Sequence, residues 1–101
     1  MYAVLHNETV VGTISLCARS QSVISIGPEI FEAYRQRGFA KAALTEAMQM
    51  AKEKHYQIVL QQVRTDNTAS IRLHESLGFE SDRYVYQNQK GNDVFLYLKT
   101  I

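Results

Sequence analysis

Six apolar residues in the middle of the chain recur at the spacing of one face of an α-helix. They fall at positions i, i+3, i+4, i+7, i+8 and i+11, which predicts an amphipathic helix that runs to about His55. Such a helix folds stably only where another layer covers its apolar face. The six residues are Ala40, Ala43, Leu44, Ala47, Met48 and Ala51.

Short apolar runs on both sides of this helix predict strands. Tyr2–His6 and Val10–Cys17 flank a polar turn and predict a hairpin, and Ser22–Phe31 predicts a third strand. Gly27-Pro28 interrupts the third run, and we expect a bulge or a local splay there because proline cannot donate to a ladder. After the helix, Ile58–Val63 predicts a buried strand.

A second helix is predicted after that strand. Asp66, Asn67 or Thr68 can cap its start, and Gly78 stands where a left-handed residue ends a helix. Phe79 is placed to pack back on the last turn. The predicted inner face carries Ser70, Leu73, His74 and Leu77.

The end of the chain predicts a second hairpin. Asp82–Gln87 and Asp93–Leu98 alternate on either side of Lys90-Gly91-Asn92. The complete order is β-β-β-α-β-α-β-β, which predicts an α+β fold with a mixed, mostly antiparallel sheet and two helices. No linker or repeat divides residues 1–101, so we expect one domain.

Composition excludes several classes of function. A net charge of +1 gives no nucleic-acid footprint, and no apolar run approaches the length of a membrane span. The start of the chain lacks the features of a signal peptide, and one cysteine suits a reducing cytoplasm. His6, His55 and His74 have no companion ligands at metal spacing, so we expect no metal site.

The turn before the first helix is a candidate anion site. Arg35-x-x-Gly38-x-Ala40 combines a glycine with a small residue, which lets a ligand approach the free N–H groups of the first helical turn. Arg35, Arg37 or Lys41 would add charge. Taken alone, the same residues also fit an ordinary loop with a solvated basic face.

A second motif gives this turn a specific interpretation. Tyr34–Ala40 together with Asn67–Phe79 resembles the GNAT acetyltransferases, which pair an Arg/Gln-x-x-Gly-x-Gly/Ala turn with a later segment ending in Leu-Gly-Phe. The resemblance is nearest the branch that includes the ribosomal-protein N-terminal acetyltransferases. It implies acetyl-CoA as cosubstrate and transfer of its acetyl group to a primary amine on a small molecule, a peptide or a protein N-terminus.

The resemblance also implies donor-site residues. The backbone of Ile30, Phe31 and Glu32 would pair with the pantetheine arm of acetyl-CoA, and Asn67 would contact the same arm. Asn67 is equally well explained as a helix cap. Ser70 lies on the same helical face. The pyrophosphate would be held by amides from Gln36, Arg37, Gly38, Phe39, Ala40 and Lys41.

Catalytic residues are less well marked. His74 stands where the family pattern has a tyrosine, and we expect it either to protonate or stabilise the leaving thiolate, or to be a hydrogen-bonded structural histidine. No acid lies in Ser22–Ile26, where relatives often place a base. Glu29 or Glu32 acting through water is therefore the candidate base, with Glu29 favoured, and both residues also fit exposed charges at a strand end. A lysine amine costs roughly 4 kcal/mol to deprotonate at neutral pH and an α-amine well under about 1 kcal/mol, which favours an α-amine acceptor.

The chain also departs from the family at its start, because the usual N-terminal strand and helices do not precede Tyr2–Cys17. It would be a compact member, a fragment or a trimmed form. An open sheet edge and cleft would then favour a homodimer. Two other functions stay open: an acyl-CoA-binding module without turnover, and a structural domain that binds no CoA.

Overall fold

The computed structural model describes residues 1–101 as six strands and two α-helices. A 3-10 turn at Glu32–Tyr34 follows the third strand. Neither helix is long and apolar enough to cross a membrane. In chain order the elements are β1 (Tyr2–His6), β2 (Thr9–Ala18), β3 (Val23–Ile30), α1 (Phe39–Glu53), β4 (Ile58–Arg64), α2 (Thr68–Ser76), β5 (Tyr86–Gln87) and β6 (Asp93–Thr100).

The strands form one sheet in the order β1-β2-β3-β4-β6-β5. β3 and β4 run parallel, whereas every other neighbouring pair is antiparallel. The crossover between the parallel strands contains α1, since parallel neighbours cannot be joined by a tight turn. The predicted fold, a mixed and mostly antiparallel sheet with two helices, is confirmed.

The apolar stripe of α1 packs against the sheet. Leu44 and Ala51 are completely buried, and they share a core cluster with Ile14, Ile24 and Ile26 of β2 and β3. Successive side chains of a strand point to opposite faces of the sheet. The α1 face is therefore apolar core, and the intervening positions of β2 and β3 point to the opposite face.

β2 approaches β3 closely at one glycine. A Cβ atom on Gly12 would overlap the carbonyl oxygen of Glu29 and lie 2.9 Å from the Cα of Ile30. Both neighbours are backbone atoms, so they cannot rotate away. The close contact at Gly12 therefore fixes the path of β3 immediately before the turn that leads into α1.

The predicted end of α2 is confirmed. Gly78 adopts a left-handed conformation with φ of 86°. The N–H of Phe79 then donates to the carbonyl of His74 at 3.0 Å, and the Phe79 ring is buried with only 4% exposed. Phe79 thereby anchors the last turn of α2 to the core.

The last hairpin is shorter than the sequence predicts. The strand expected over Asp82–Gln87 is wrong for its first four residues, because only the final two belong to β5. Arg83 has a left-handed φ of 58°, which breaks the extended conformation. Its guanidinium donates to Glu75 of α2 at 2.6 Å, so Arg83 contacts α2, while only Tyr86 and Gln87 of this segment pair with β6.

Candidate functional site

A cavity of about 780 Å³ opens where β3 and β4 separate. The two strands pair only at Val23 with Ile58 and at Ile24 with Val59. On its other side β3 stays in register with β2 from Ile24 to Ile30 without a shift. β3 and β4 therefore splay apart from Ser25 onward, so the expected splay includes Gly27-Pro28 but begins two residues earlier. The β2 side has no bulge.

The side chain of Gln61 replaces the missing strand contacts at the start of the splay. Its Oε1 accepts from the N–H of Ile26 at 2.8 Å, and its Nε2 donates to the carbonyl of Ile26 at 2.6 Å. Gln61 is only 5% exposed. This pair of hydrogen bonds satisfies the buried backbone of Ile26 where a regular parallel ladder would otherwise continue.

Beyond Ile26 the backbone of β3 faces the cavity without a partner strand. Phe31 donates its N–H to the carbonyl of Val11, so the odd-numbered groups of β3 are directed toward β2. Ile26 is directed toward β4. Because this direction alternates along a strand, the backbone groups of Pro28 and Ile30 also face the β4 side.

Two of the backbone groups that Pro28 and Ile30 direct into the cavity are free. Proline has no N–H, so Pro28 contributes only its carbonyl. The carbonyl of Ile30 accepts from Nε of Arg35 at 2.9 Å. The open side of β3 therefore presents one free acceptor, on Pro28, and one free donor, on Ile30.

The turn before α1 forms the other end of the cavity. Gly38 is the N-cap of α1 with φ of 81°, and no side chain caps the helix. The first N–H groups of α1 are thus available to a ligand, and the partial positive charge of the helix start favours an anion there. Gln36 also has a positive φ, of 63°, which gives the turn its tight shape.

α2 supplies the facing wall of the cavity. The Oδ1 of Asn67 accepts from the N–H of Ser70 at 3.1 Å, so Asn67 is the helix cap that the sequence allowed. The amide NH₂ of Asn67 makes no hydrogen bond within the protein. Asn67 can therefore cap α2 and still donate into the cavity, and the two roles proposed for it are compatible.

Most predicted site residues line this cavity, and four do not. Phe31 is 44% exposed, Glu32 begins the 3-10 turn, and the Arg37 guanidinium lies 6.0 Å from the centre of the Tyr34 ring. Glu29 is the fourth residue outside the lining. The predicted residues that do line the cavity are Ile30, Arg35, Gln36, Gly38, Phe39, Ala40, Lys41, Asn67, Ser70 and His74.

His74 is buried in the wall of the cavity, with 4% of the residue exposed. Its Nδ1 lies 2.8 Å from the carbonyl oxygen of Ser70. A carbonyl can only accept, so Nδ1 carries the hydrogen. Burial lowers the pKa of His74, and the hydrogen bond to the Ser70 backbone raises it by a smaller amount. The imidazole is therefore neutral near pH 7.

The second ring nitrogen of His74 has a protein partner as well. Its Nε2 lies 3.4 Å from Nε2 of Gln61. Because the Oε1 of Gln61 already accepts from Ile26, the Gln61 NH₂ group is the donor and the His74 Nε2 is the acceptor. Both nitrogens of His74 thus take part in the hydrogen-bond network that holds the splay.

Charge in the cavity has one sign. Its charged lining residues are Arg19, Arg35 and Lys41, and no aspartate or glutamate joins them. Glu29, the candidate base, pairs across the ladder with Thr13 and is exposed outside the lining. A proton moving to Glu29 from the cavity would have to pass through water.

Sequence reasoning missed Gln61, Arg19 and Ser25. Gln61 stands at a buried position of a strand, between Val59 and Val63. A polar residue at an inward position of an otherwise apolar strand is the signal that could have identified it. Arg19 and Ser25 carry no comparable signal. Arg19 follows a strand, and Ser25 alternates with Ile24 and Ile26 on the other face of β3, and polar residues at both kinds of position are commonly solvated.

Known proteins resemble this chain in family, in sequence and in fold. The family described as "Acetyltransferase (GNAT) family" matches residues 1–79. An uncharacterized, SPbeta prophage-derived N-acetyltransferase of Bacillus subtilis (strain 168), YokL, is 38% identical over 80 residues. That match covers 76% of this chain and 45% of YokL. The chain thus spans less than half the length of this relative.

Solved structures share the fold. A ribosomal-protein-alanine N-acetyltransferase from Brucella melitensis superposes with a TM-score of 0.85 at 22% identity, covering 98% of this chain and 67% of that one. A GNAT family acetyltransferase from Elizabethkingia anophelis, determined with acetyl-CoA bound, superposes with a TM-score of 0.80 at 15% identity. There the coverage is 96% of this chain and 72% of that one.

Proposed function

The chain belongs to the GNAT acetyltransferase family, and from this membership we propose that it transfers an acetyl group from acetyl-CoA to a primary amine. One observation carries the proposal: a single cavity joins the uncapped start of α1 to the splay between β3 and β4. An anionic end and an extended arm of one ligand could occupy both ends at once.

The donor would lie along this cavity with its pyrophosphate at the turn. Amides from Gln36–Lys41 would hold the phosphates, and Arg35 and Lys41 would add positive charge. The pantetheine arm would follow β3, with Ile30 and Pro28 as backbone partners. The involvement of Phe31, Glu32 and Arg37 stays a prediction, supported only by their place beside the turn.

The proposed reaction is a direct transfer. The amine nitrogen forms a bond to the thioester carbonyl carbon, the carbon–sulfur bond breaks, and CoA leaves as a thiolate that takes up a proton. The attacking amine must be neutral and must lose a proton. Because no carboxylate lines the cavity, an α-amine with a pKa near 8 is a better acceptor than a lysine with a pKa near 10.4.

The geometry supports a structural role for His74 rather than proton donation. Its N–H is engaged by Ser70 and its lone pair by Gln61. Proton transfer by His74 would require one of these bonds to break. We therefore propose His74 as a positioning residue, and the role of Glu29 as a water-linked base stays a prediction.

A second function is an acyl-CoA-binding module without turnover. Two observations favour it: the cavity contains no carboxylate base, and Pro28 offers no N–H to a thioester carbonyl in the splay. The homodimer and the cytoplasmic location expected from the sequence stay predictions.

Two measurements test the proposal in order. Acetyl-CoA should raise the melting temperature, and no change in melting temperature would exclude both the enzyme and the binding module. Release of free CoA thiol is then followed with a panel of peptides bearing free N-termini and of polyamines. Stabilisation without thiol release for any amine would favour the binding module.

A further inference from the structure

The cavity reaches the face of the sheet opposite α1, and small polar residues line it there. Ser15 lies opposite Gly27 and Cys17 lies opposite Ser25 in the β2–β3 ladder. All four line the cavity. Their positions alternate with the core residues of the same strands, so their side chains lie on the opposite face. On this face of the sheet the only charged residue that lines the cavity is Arg19, which follows β2.

Two hydrogen bonds position Arg19 at the point where β3 and β4 separate. Its Nε donates to Oγ of Ser25 at 3.0 Å, and that hydroxyl donates to the carbonyl of Leu60 at 2.5 Å. Ser25 and Leu60 immediately follow the last paired residues of β3 and β4. These hydrogen bonds hold the Arg19 guanidinium where β3 and β4 separate. This is the end of the cavity away from the turn before α1.

The terminal nitrogens of Arg19 have no partner in the protein. The salt bridges of the chain are Arg64 with Asp66 and Arg83 with Glu75. The side chain of Arg19 makes only the Nε hydrogen bond to Ser25. A guanidinium held by one edge keeps a pair of N–H donors in the geometry that suits a carboxylate.

The positions of the basic residues in the cavity indicate which group of a ligand Arg19 could bind. Arg35 and Lys41 lie at the turn, where the phosphates of the donor are proposed to bind. Arg19 lies at the other end, where β3 and β4 separate. Arg19 is exposed to solvent, and no acidic residue of the cavity pairs with it. An anionic group carried by the acceptor would do so.

We propose that Arg19 binds a carboxylate of the acceptor, so that this protein selects primary amines with a carboxylate close to the reacting nitrogen. This inference rests on the proposed acetyl transfer. Two sources supply the same chemistry: a peptide with an acidic residue next to its free N-terminus, and a free amino acid through its own carboxylate. Both place the amine and the anion within one residue of each other.

Matched acceptor pairs test the proposal. The kcat/KM of CoA release is compared for Ala-Glu-Ala-amide against Ala-Gln-Ala-amide, and for alanine against alaninamide. Each value is expressed per neutral amine, because a nearby carboxylate raises the pKa of the amine. We expect the carboxylate-bearing member of at least one pair to be favoured about tenfold or more, which is the effect of one good charge-assisted contact. The pair that responds identifies the source of the carboxylate.

Variants of Arg19 complete the test. Arg19→Gln should abolish the preference, and Arg19→Glu should reverse it. The stabilisation by acetyl-CoA should stay unchanged in both, because Arg19 lies away from the turn. Arg72→Glu makes the same charge change on an exposed part of α2 outside the cavity, and it should keep the wild-type preference.

Equal kcat/KM for both members of both pairs would overturn the proposal, as would a preference that survives Arg19→Glu. If no acceptor releases CoA, the same peptide pair is titrated calorimetrically into protein saturated with CoA, where equal Kd values would overturn it. Failure of acetyl-CoA to stabilise the protein would instead overturn the proposed function, so the two failures are distinguishable.

Discussion

Gln61 binds both backbone groups of Ile26 through its side-chain amide, at 2.8 Å to the N–H and 2.6 Å to the carbonyl. A side chain thereby substitutes for the neighbouring strand at the position where β3 and β4 part. The sheet can open at this point without leaving a buried donor and acceptor unpaired, which would cost roughly 1–3 kcal/mol for each group.

Replacing Gln61 with leucine should therefore destabilise the protein strongly. Gln61→Leu leaves the Ile26 N–H and carbonyl without partners, and we expect a loss of about 2–4 kcal/mol in the free energy of unfolding. Urea denaturation measures it. Gln62→Leu, at the next and exposed position of β4, is the matched control and should change stability by about 0.5 kcal/mol or less. Equal losses for the two variants would contradict this account of the splay.

Burial of neutral His74 should make stability depend on pH. The pKa of His74 is lower in the folded protein than the value of 6.5 expected when unfolded, so the unfolded chain binds the proton first. The contribution of neutral His74 to the free energy of unfolding is fully present above about pH 6.5. It is lost as the pH falls toward the pKa of His74 in the folded protein.

Urea unfolding at pH 7.5 and at pH 5.5 measures this loss. His74→Gln should reduce the difference between the two pH values, whatever its effect on absolute stability. His55→Gln, which removes an exposed histidine, should leave the difference as in wild type. A pH dependence that persists in His74→Gln would show that another group is responsible.

A glutamate at position 40 should weaken acetyl-CoA binding without preventing folding. Ala40 lies in the first turn of α1 and lines the cavity. A glutamate there suits the helix start, where it contributes roughly 0.3–1 kcal/mol, but it would repel phosphates. We expect Ala40→Glu to fold and to lose at least tenfold in acetyl-CoA affinity by calorimetric titration. Ala42→Glu, exposed on the same helix, should bind as wild type does; weakened binding there would point to net charge rather than position.

Gly12→Ala should be more damaging than its small size suggests. The added methyl group would meet backbone atoms of Glu29 and Ile30, and we expect a loss of about 3 kcal/mol. Gly27→Ala is the comparison, because its methyl group would meet only the Ser15 hydroxyl, a side chain that can rotate. Thermal or urea unfolding should show a loss of about 1 kcal/mol or less for Gly27→Ala. A similar effect of both substitutions would argue against a fixed β3 path.

The sequence predicts the elements with strong local signals. The α1 stripe around Leu44 is periodic, Asn67 can accept from the helix start, and Gly78 permits the left-handed turn after α2. Each of these features depends on residues within a few positions of one another. Local patterns therefore carry enough information to place both helices and most strands.

Features that depend on distant partners were not predictable in this way. Arg83 lies outside the expected strand, and its guanidinium donates to Glu75, eight residues earlier. Gln61 finds its partner 35 residues away at Ile26. The tether of Arg19 through Ser25 to Leu60 likewise exists only once the sheet has formed. Sequence periodicity contains no information on such pairings, and the acceptor end of the cavity is built from them.

The open side of β3 offers main-chain atoms to the proposed donor, and this has a consequence for how the protein can evolve. A side-chain substitution at Ile30 leaves its backbone N–H in place. Most mutations at this position therefore do not remove the proposed hydrogen bond to the donor. Selection acts instead on the residues that set the backbone path, such as Gly12, Gln61 and Pro28. The donor-binding surface can therefore persist while most of the side chains around it drift.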